Sequence, residues 1–435
     1  MRFRTVLPLL AAGVLGAPPA APATGILAVR HWSAPDHTRI VIDLSEPVGY
    51  RHFELADPPR IAVDIPGASF APAVRTLAIG DGLVKQVRFN VLAQSGVAQV
   101  VLDLETTTRY DVFALEKIAE KLDRIVIDVK RPTESIREVP AIREPRTIGP
   151  NQFGDFLIMI DPGHGGEDPG RRNPDGVKEK DLALIFSRDL AQAISQYSGY
   201  RAELTRTGDY FVSLRRRREI AEQKAAHLFV SVHFNAAPAR SARGTEVFFV
   251  SMDGADTRAT QELVRAENAA DLVGGVPPRD HDTSDHLTKM LFDLRQHDSV
   301  ERSQRLATAI TDRVAATRGL PTRNVKQAGF AVLKSLFIPA VLVEVAFLTN
   351  PDDVRYVRSS QNRDRYVRAL AAGIVDYCED VEIPRLGWKI HTVDSGETLS
   401  KVAALYAMEV SALRGANALR TDELSVGQKL RVRPR

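Results

Sequence analysis

At 435 residues the chain is long for one domain at ~100–200 residues per domain, so two or three domains are expected. A composition of 44% hydrophobic and 26% charged residues, with 6% aromatic, excludes a disordered or fibrous chain. Fifty-eight Lys+Arg against 55 Asp+Glu leave a formal charge of +3, too small a surplus to point to nucleic acid. The single cysteine, Cys378, excludes an intramolecular disulfide and any cysteine-rich zinc module, so a metal would have to be held by His, Asp or Glu.

The chain begins with the charges of Arg2 and Arg4, an apolar run from Leu7 to Ala17 and the small-residue pattern Ala21-Pro22-Ala23. This reads as a secretory signal peptide, residues 1–23, with a retained membrane anchor as the competing reading; the run is too short to span a bilayer comfortably. Its removal deletes two arginines, leaving 3 − 2 = +1 on an exported, nearly neutral protein. After it, residues 27–130 carry short β-branched runs such as Arg39-Ile40-Val41-Ile42 and Arg124-Ile125-Val126-Ile127, punctuated by turn residues, and are expected to form an all-β sandwich. In residues 131–152, Pro132, Pro140, Pro145 and Pro150 alternate with Arg and Glu, the composition of an extended linker.

From residue 153 to 380 the pattern is α/β. Apolar strands are expected at Phe156–Ile160, Leu228–Val232 and Val341–Val345. A helix is expected from about Asp181 to Gln196, with Leu182, Ile185, Phe186, Leu190 and Ile194 at helical spacing. Strands separated by helices imply a mainly parallel twisted sheet covered on both faces. Residues 251–300 read as an insertion carrying an amphipathic helix over Thr257–Val273. Residues 388–433 form a third unit, a small α+β module of two strands enclosing two helices (βααβ), with Thr398 near a helix start.

The chemistry is concentrated at strand ends. The first strand runs into Asp161-Pro162-Gly163-His164-Gly165-Gly166 and the second into His233-Phe234-Asn235, so both histidines leave the carboxyl edge of the sheet, where open α/β sheets bind ligands. Glu179, just before the amphipathic helix, can turn back toward them. Two histidines and a carboxylate with a fourth position open are what a catalytic Zn²⁺ needs. Glu344 lies inside Val341-Leu342-Val343-Glu344-Val345; a lone carboxylate there is costly to bury, so it is expected to face the metal site. Taken singly each has a plainer reading: a hydrogen-bonded histidine, a helix-dipole glutamate or an ion-pair partner. The run Arg215–Arg218 reads as a solvated helix face with one arginine available to support the site, and the His281–His286 cluster lacks a buried strand to orient it.

The segments Ile160–Gly166, Glu179-Lys180, Ser231–Ala236 and Val343–Asn350 together resemble the ordered signatures of zinc-dependent N-acetylmuramoyl-L-alanine amidases of the cell-separation type. The resemblance implies that His164, Glu179 and His233 bind Zn²⁺ and that Glu344 is the catalytic glutamate. The substrate would be the amide joining N-acetylmuramic acid to L-alanine in peptidoglycan; Ala346 stands where the family often has Gly. It also implies that the insertion covers the zinc site until an activator, a LytM-type protein, displaces it. Glu267 is then the candidate blocking ligand and Glu262 its neighbour one turn away. The N-terminal unit is similar to AMIN domains, implying targeting to the septal wall, and the C-terminal unit resembles a LysM module, implying binding of glycan strands. The implied location is the periplasm, at the division septum, with no membrane insertion after signal cleavage and no nucleic-acid partner. Two other functions fit the residues: a zinc peptidase acting on the stem peptide, and a non-catalytic wall-binding adaptor.

Overall fold

The computed structural model describes residues 24–71, 74, 76–118, 120–132, 156–251, 257–276, 286–317, 319–334 and 338–433, with the backbone alone for 286–297. The signal-peptide reading, nearly all of the Pro-rich linker and the 281–285 part of the histidine cluster lie outside the described residues.

The N-terminal unit pairs two five-stranded sheets. The alternation seen in sequence sends Ile40, Ile42, Ile61, Val63, Val100, Leu102, Ile125 and Ile127 into one shared core, and the intervening Val41, Ala62, Val101 and Val126, on the opposite faces of the strands, are buried as well. Salt-bridged residues such as Arg88 and Asp103, 2.6 Å apart, occupy an outer face.

In the α/β domain six strands lie in the order Tyr200–Leu204, Phe156–Pro162, Leu228–Asn235, Ala340–Phe347, Glu246–Val250, Lys326–Ala328. The pairings are parallel except that Glu246–Val250 runs antiparallel to Ala340–Phe347. One face carries Ile158, Ile160, Val230, Val232, Val341 and Val343 onto the helices Glu179–Ile194, His286–Ala315 and Ser360–Tyr377. The opposite face starts apolar, with Leu157, Met159, Phe229 and Leu342 against Leu263, Phe330 and Val332. Toward the carboxyl edge it turns polar. In-register pairing sets Asp161 beside Ser231, His233 beside Glu344 and Glu344 beside Glu246, so side-chain alternation places all five on that face. Among the described residues no helix is long and apolar enough to cross a membrane.

The insertion departs from a single helix over Thr257–Val273. Thr257 caps a helix at Arg258–Asn268, the axis breaks at Ala269, and a short turn follows at Ala270–Val273. Residues 286–300 of the insertion belong to the long helix His286–Ala315.

At the C-terminus, strands Lys389–Thr392 and Lys429–Val432 pair antiparallel around helices Leu399–Leu405 and Val410–Ala416. The module has its own core of Val393, Leu399, Val402, Leu413 and Leu430. It is also seated on the α/β domain. Trp388 and Ala416 join that domain's core, the Arg431 guanidinium lies 4.5 Å from the Tyr200 ring centroid, and Ser198 Oγ donates to Asn417 O at 3.0 Å.

Candidate active site

The first strand ends in a tight loop whose glycines have close neighbours. His164 adopts a left-handed φ of 59°, and a side chain on Gly163 would run into the His233 ring, so the two imidazoles approach because residue 163 has none. Buried cations fasten the loop backbone. Arg217 donates to Asp161 Oδ1 (2.7 Å), Pro162 O (2.6 Å) and His164 O (2.7 Å), and Arg206 donates to Pro162 O (3.0 Å) and Gly163 O (2.8 Å). Of the basic run, therefore, Arg215 is exposed while Arg217 is buried and supports the site.

Four groups converge. One ligand atom from each of His164, Glu179, His233 and Glu267 lies within 4.8 Å of the others, and all four residues are buried. Glu179 Oε1 is 3.0 Å from His164 Nε2 and 3.0 Å from His233 Nδ1, and Glu267 Oε2 is 3.2 Å from the same two nitrogens. Glu179 is oriented by the backbone: Phe234 N donates to Oε1 at 2.9 Å and Arg171 N to Oε2 at 2.8 Å. Behind His164, Asp168 Oδ2 stands 2.7 Å from Nδ1, fixing the ring so that Nε2 points inward.

These donors fit a divalent metal. His164 Nε2 and Glu267 Oε2 are buried and face each other, yet neither makes a directed hydrogen bond. Burial disfavours a charged imidazole, but Asp168, Glu179 and Glu267 together lift His164 well above its ordinary pKa, so the pocket favours positive charge. Two imidazole nitrogens and two carboxylate oxygens are the ligand types of a tetrahedral zinc site.

Glu344 is 1% exposed, and neither of its carboxylate oxygens has a hydrogen-bond partner. Burial pushes its carboxyl well above the usual range; His233 opposes the shift, and Glu179, Glu267 and Glu246 add to it. Asp168, Arg206, Arg217 and Glu246 are site residues that the sequence reading missed or left unassigned. A buried charge in Glu246-Val247-Phe248-Phe249-Val250 offers the same signal that singled out Glu344.

Glu267 arrives on the inserted helix, which is held at its far end by paired contacts. Asn268 Nδ2 donates to Gly329 O at 3.1 Å while its Oδ1 accepts from Ala331 N at 2.8 Å, and Asp271 Oδ1 accepts from Leu214 N at 2.8 Å. Glu262, the alternative blocking residue, is exposed and pairs with Arg258 at 3.1 Å.

A largely parallel sheet with imidazoles and carboxylates gathered at its carboxyl edge, beside a partnerless buried carboxyl, is an arrangement suited to hydrolysis on an α/β fold. Residues 158–376 match the N-acetylmuramoyl-L-alanine amidase family, residues 28–132 the AMIN domain and residues 391–433 the LysM domain. Similar proteins include N-acetylmuramoyl-L-alanine amidase AmiC of Escherichia coli O6:H1, 30% identical over 82% of this chain and 90% of that protein. AmiC of Neisseria meningitidis serogroup B is 30% identical over 80% and 89%. Among solved structures, amidase AmiC2 of Nostoc punctiforme aligns at 26% identity over 52% of this chain and 97% of that one, with a TM-score of 0.39. The chain belongs to the N-acetylmuramoyl-L-alanine amidases, and is a peptidoglycan amidase of the AmiC type with AMIN and LysM domains.

Proposed function

We propose that this protein is an exported zinc amidase of daughter-cell separation, held inactive by its own inserted helix until an activator displaces it. The observation that carries the reading is the four-residue cluster in which Glu267, from the insertion, sits against the two imidazoles and Glu179. His164 Nε2, His233 Nδ1 and Glu179 Oε1 would hold the metal, with Glu267 on the remaining position. When bound, zinc supplies a Lewis acid that polarises the scissile carbonyl and eases deprotonation of water.

The chain's own residues do the rest. With the inserted helix displaced, Glu267 leaves and its position opens to substrate and water. Glu344 takes the proton of the attacking water and passes it to the departing nitrogen of L-alanine. Its apolar strand and the neighbouring carboxylates favour the protonated state that this second transfer requires. The amide C–N bond breaks, leaving the lactyl carboxylate on the sugar and a free amino terminus on the peptide. Asp168, Arg206 and Arg217 keep the His164 loop in place through the cycle.

The AMIN and LysM units support action on assembled wall, the first as a septal targeting unit and the second as a grip on glycan. An open cleft lined by Thr398, Ser400, Val410, Thr421 and Asp422 gives the LysM module a place to take it. The signal-peptide pattern of residues 1–23 supports export to the periplasm. The reading is tested by digesting purified cell wall with the full chain and with the chain lacking residues 258–273. Mass spectrometry should find intact stem peptides with a free L-alanine amino terminus, mainly from the deleted chain. Peptides cut internally would point instead to a stem-peptide peptidase.

A further inference from the structure

The polar face of the sheet does not end at Glu344. The next strand places Glu246 in register with it, and the strand after that begins at Lys326. Glu246 is 3% exposed and collects three donors: Asn235 Nδ2 on Oε2 at 3.0 Å, and both Arg323 Nη1 (2.9 Å) and Lys326 Nζ (2.7 Å) on Oε1. One cation suffices to neutralise one buried carboxylate, so the second leaves the group with a surplus positive charge. Neither cation is enclosed: the side chains of Arg323 and Lys326 are 44% and 33% exposed. Both are nonetheless fixed. The Arg323 guanidinium lies 5.4 Å from the Phe347 ring centroid, Lys326 Nζ lies 5.6 Å from that of Phe248, and Arg323 N donates to Thr245 O at 2.8 Å.

We infer that Arg323 and Lys326, braced by Glu246, form a subsite for a carboxylate of the stem peptide, that of its second residue. The inference rests on the amidase reading, which puts the scissile amide beside Glu344. Adjacent strands are about 4.8 Å apart, and both cations reach back to Glu246 on the strand beside Glu344, so their charged ends lie between one and two strand spacings, about 5–10 Å, from the Glu344 strand. A peptide advances about 3.5 Å per residue, which carries the second residue and its substituent into that range. In peptidoglycan this residue is a glutamate joined through its side chain, and its α-carboxylate is either free or converted to the amide. A rigid guanidinium beside an ammonium distinguishes the two forms, because only the anion gains the charge-assisted hydrogen bonds. Glu246 serves as a positioning residue here, holding both cations toward the site without touching substrate.

The experiment compares matched muramoyl peptides carrying a free or an amidated α-carboxyl at the second residue. They are assayed with the zinc-loaded full chain and with its Glu267→Ala variant, so that either an open or a closed parent provides turnover. The carboxylate substrate is expected to show about tenfold higher kcat/KM, expressed in KM. Arg323→Gln and Lys326→Gln should each erode that preference while kcat on the amidated substrate stays near the parent value. Equal kcat/KM for the two substrates in the parent overturns the subsite, as does a preference that survives in both variants. If neither chain releases product, the amidase reading fails. Calorimetric binding of L-alanyl-γ-D-glutamate and its amide to the same chains then still tests the cations: no preference for the acid overturns the subsite, and a preference lost in both variants upholds it.

Discussion

Asp168 Oδ2 stands 2.7 Å from Nδ1 of His164, four residues earlier in the chain, with both side chains buried. A carboxylate behind a ligating imidazole fixes the ring tautomer and makes the opposite nitrogen a better donor. Asp168→Asn is therefore expected to weaken zinc binding about 10- to 100-fold while the fold is kept. Competition against a chromophoric chelator measures this, and an unchanged affinity would remove Asp168 from the site.

Loss of the proton carrier should separate from loss of the metal. Glu344→Gln preserves the shape of the side chain but cannot take a proton. Hydrolysis should fall by about 10²-fold or more while zinc content remains that of the parent. His233→Ala, by contrast, should lose zinc. Near-normal turnover in Glu344→Gln would reassign the base.

Two changes should release the closed site by different routes. Glu267→Ala takes away the carboxylate proposed to block the site. Asn268→Ala leaves Glu267 intact but breaks the bridge to Gly329 O and Ala331 N. Basal hydrolysis of labelled wall should rise in both, and rise most when residues 258–273 are deleted. A deletion variant no faster than the parent would sink the autoinhibitory role of the helix.

His227 provides a pH dependence away from the metal ligands. Its ring stacks on Phe156 at 4.1 Å, its Nδ1 accepts from Leu157 N at 3.1 Å, and burial holds its pKa down at about 4. Between about pH 6.5 and 4 the unfolded chain binds this proton and the folded chain does not, so the contribution is complete above pH 6.5 and is lost as pH falls toward 4. At ~1.4 kcal/mol per pKa unit it amounts to roughly 3 kcal/mol. His227→Gln should flatten the decline in denaturant midpoint across that window relative to the parent; parallel declines would contradict the assignment.

Much of the site was legible because its residues break an otherwise consistent pattern. His164 follows a buried strand, His233 stands near the end of another and Glu344 interrupts a third, so strand periodicity alone marks them as anomalous. Asp168 has no such background: it lies in a coil among Gly165, Gly166, Pro169 and Gly170, where a carboxylate is ordinary, and only the fold turns it onto His164. Arg217 was hidden within four successive arginines, since a helix of ten residues can bury one of them while its neighbours stay in water. The break at Ala269 was equally hidden, because alanine favours continuing a helix and the contacts of Asn268 and Asp271 with distant loops overrule it.

The seat of the LysM module has a consequence for how wall is engaged. Its contacts include Ser198, Gly199 and Tyr200, where the sheet's first strands begin, whereas His164, His233 and Glu344 stand at or near strand ends. A strand of the Phe156–Pro162 length puts about 20 Å between those edges at ~3.3 Å per residue. The seat of the glycan-binding module and the candidate site thus lie at opposite ends of the same strands, so whatever wall the module holds is approached from the end of the domain away from Glu344.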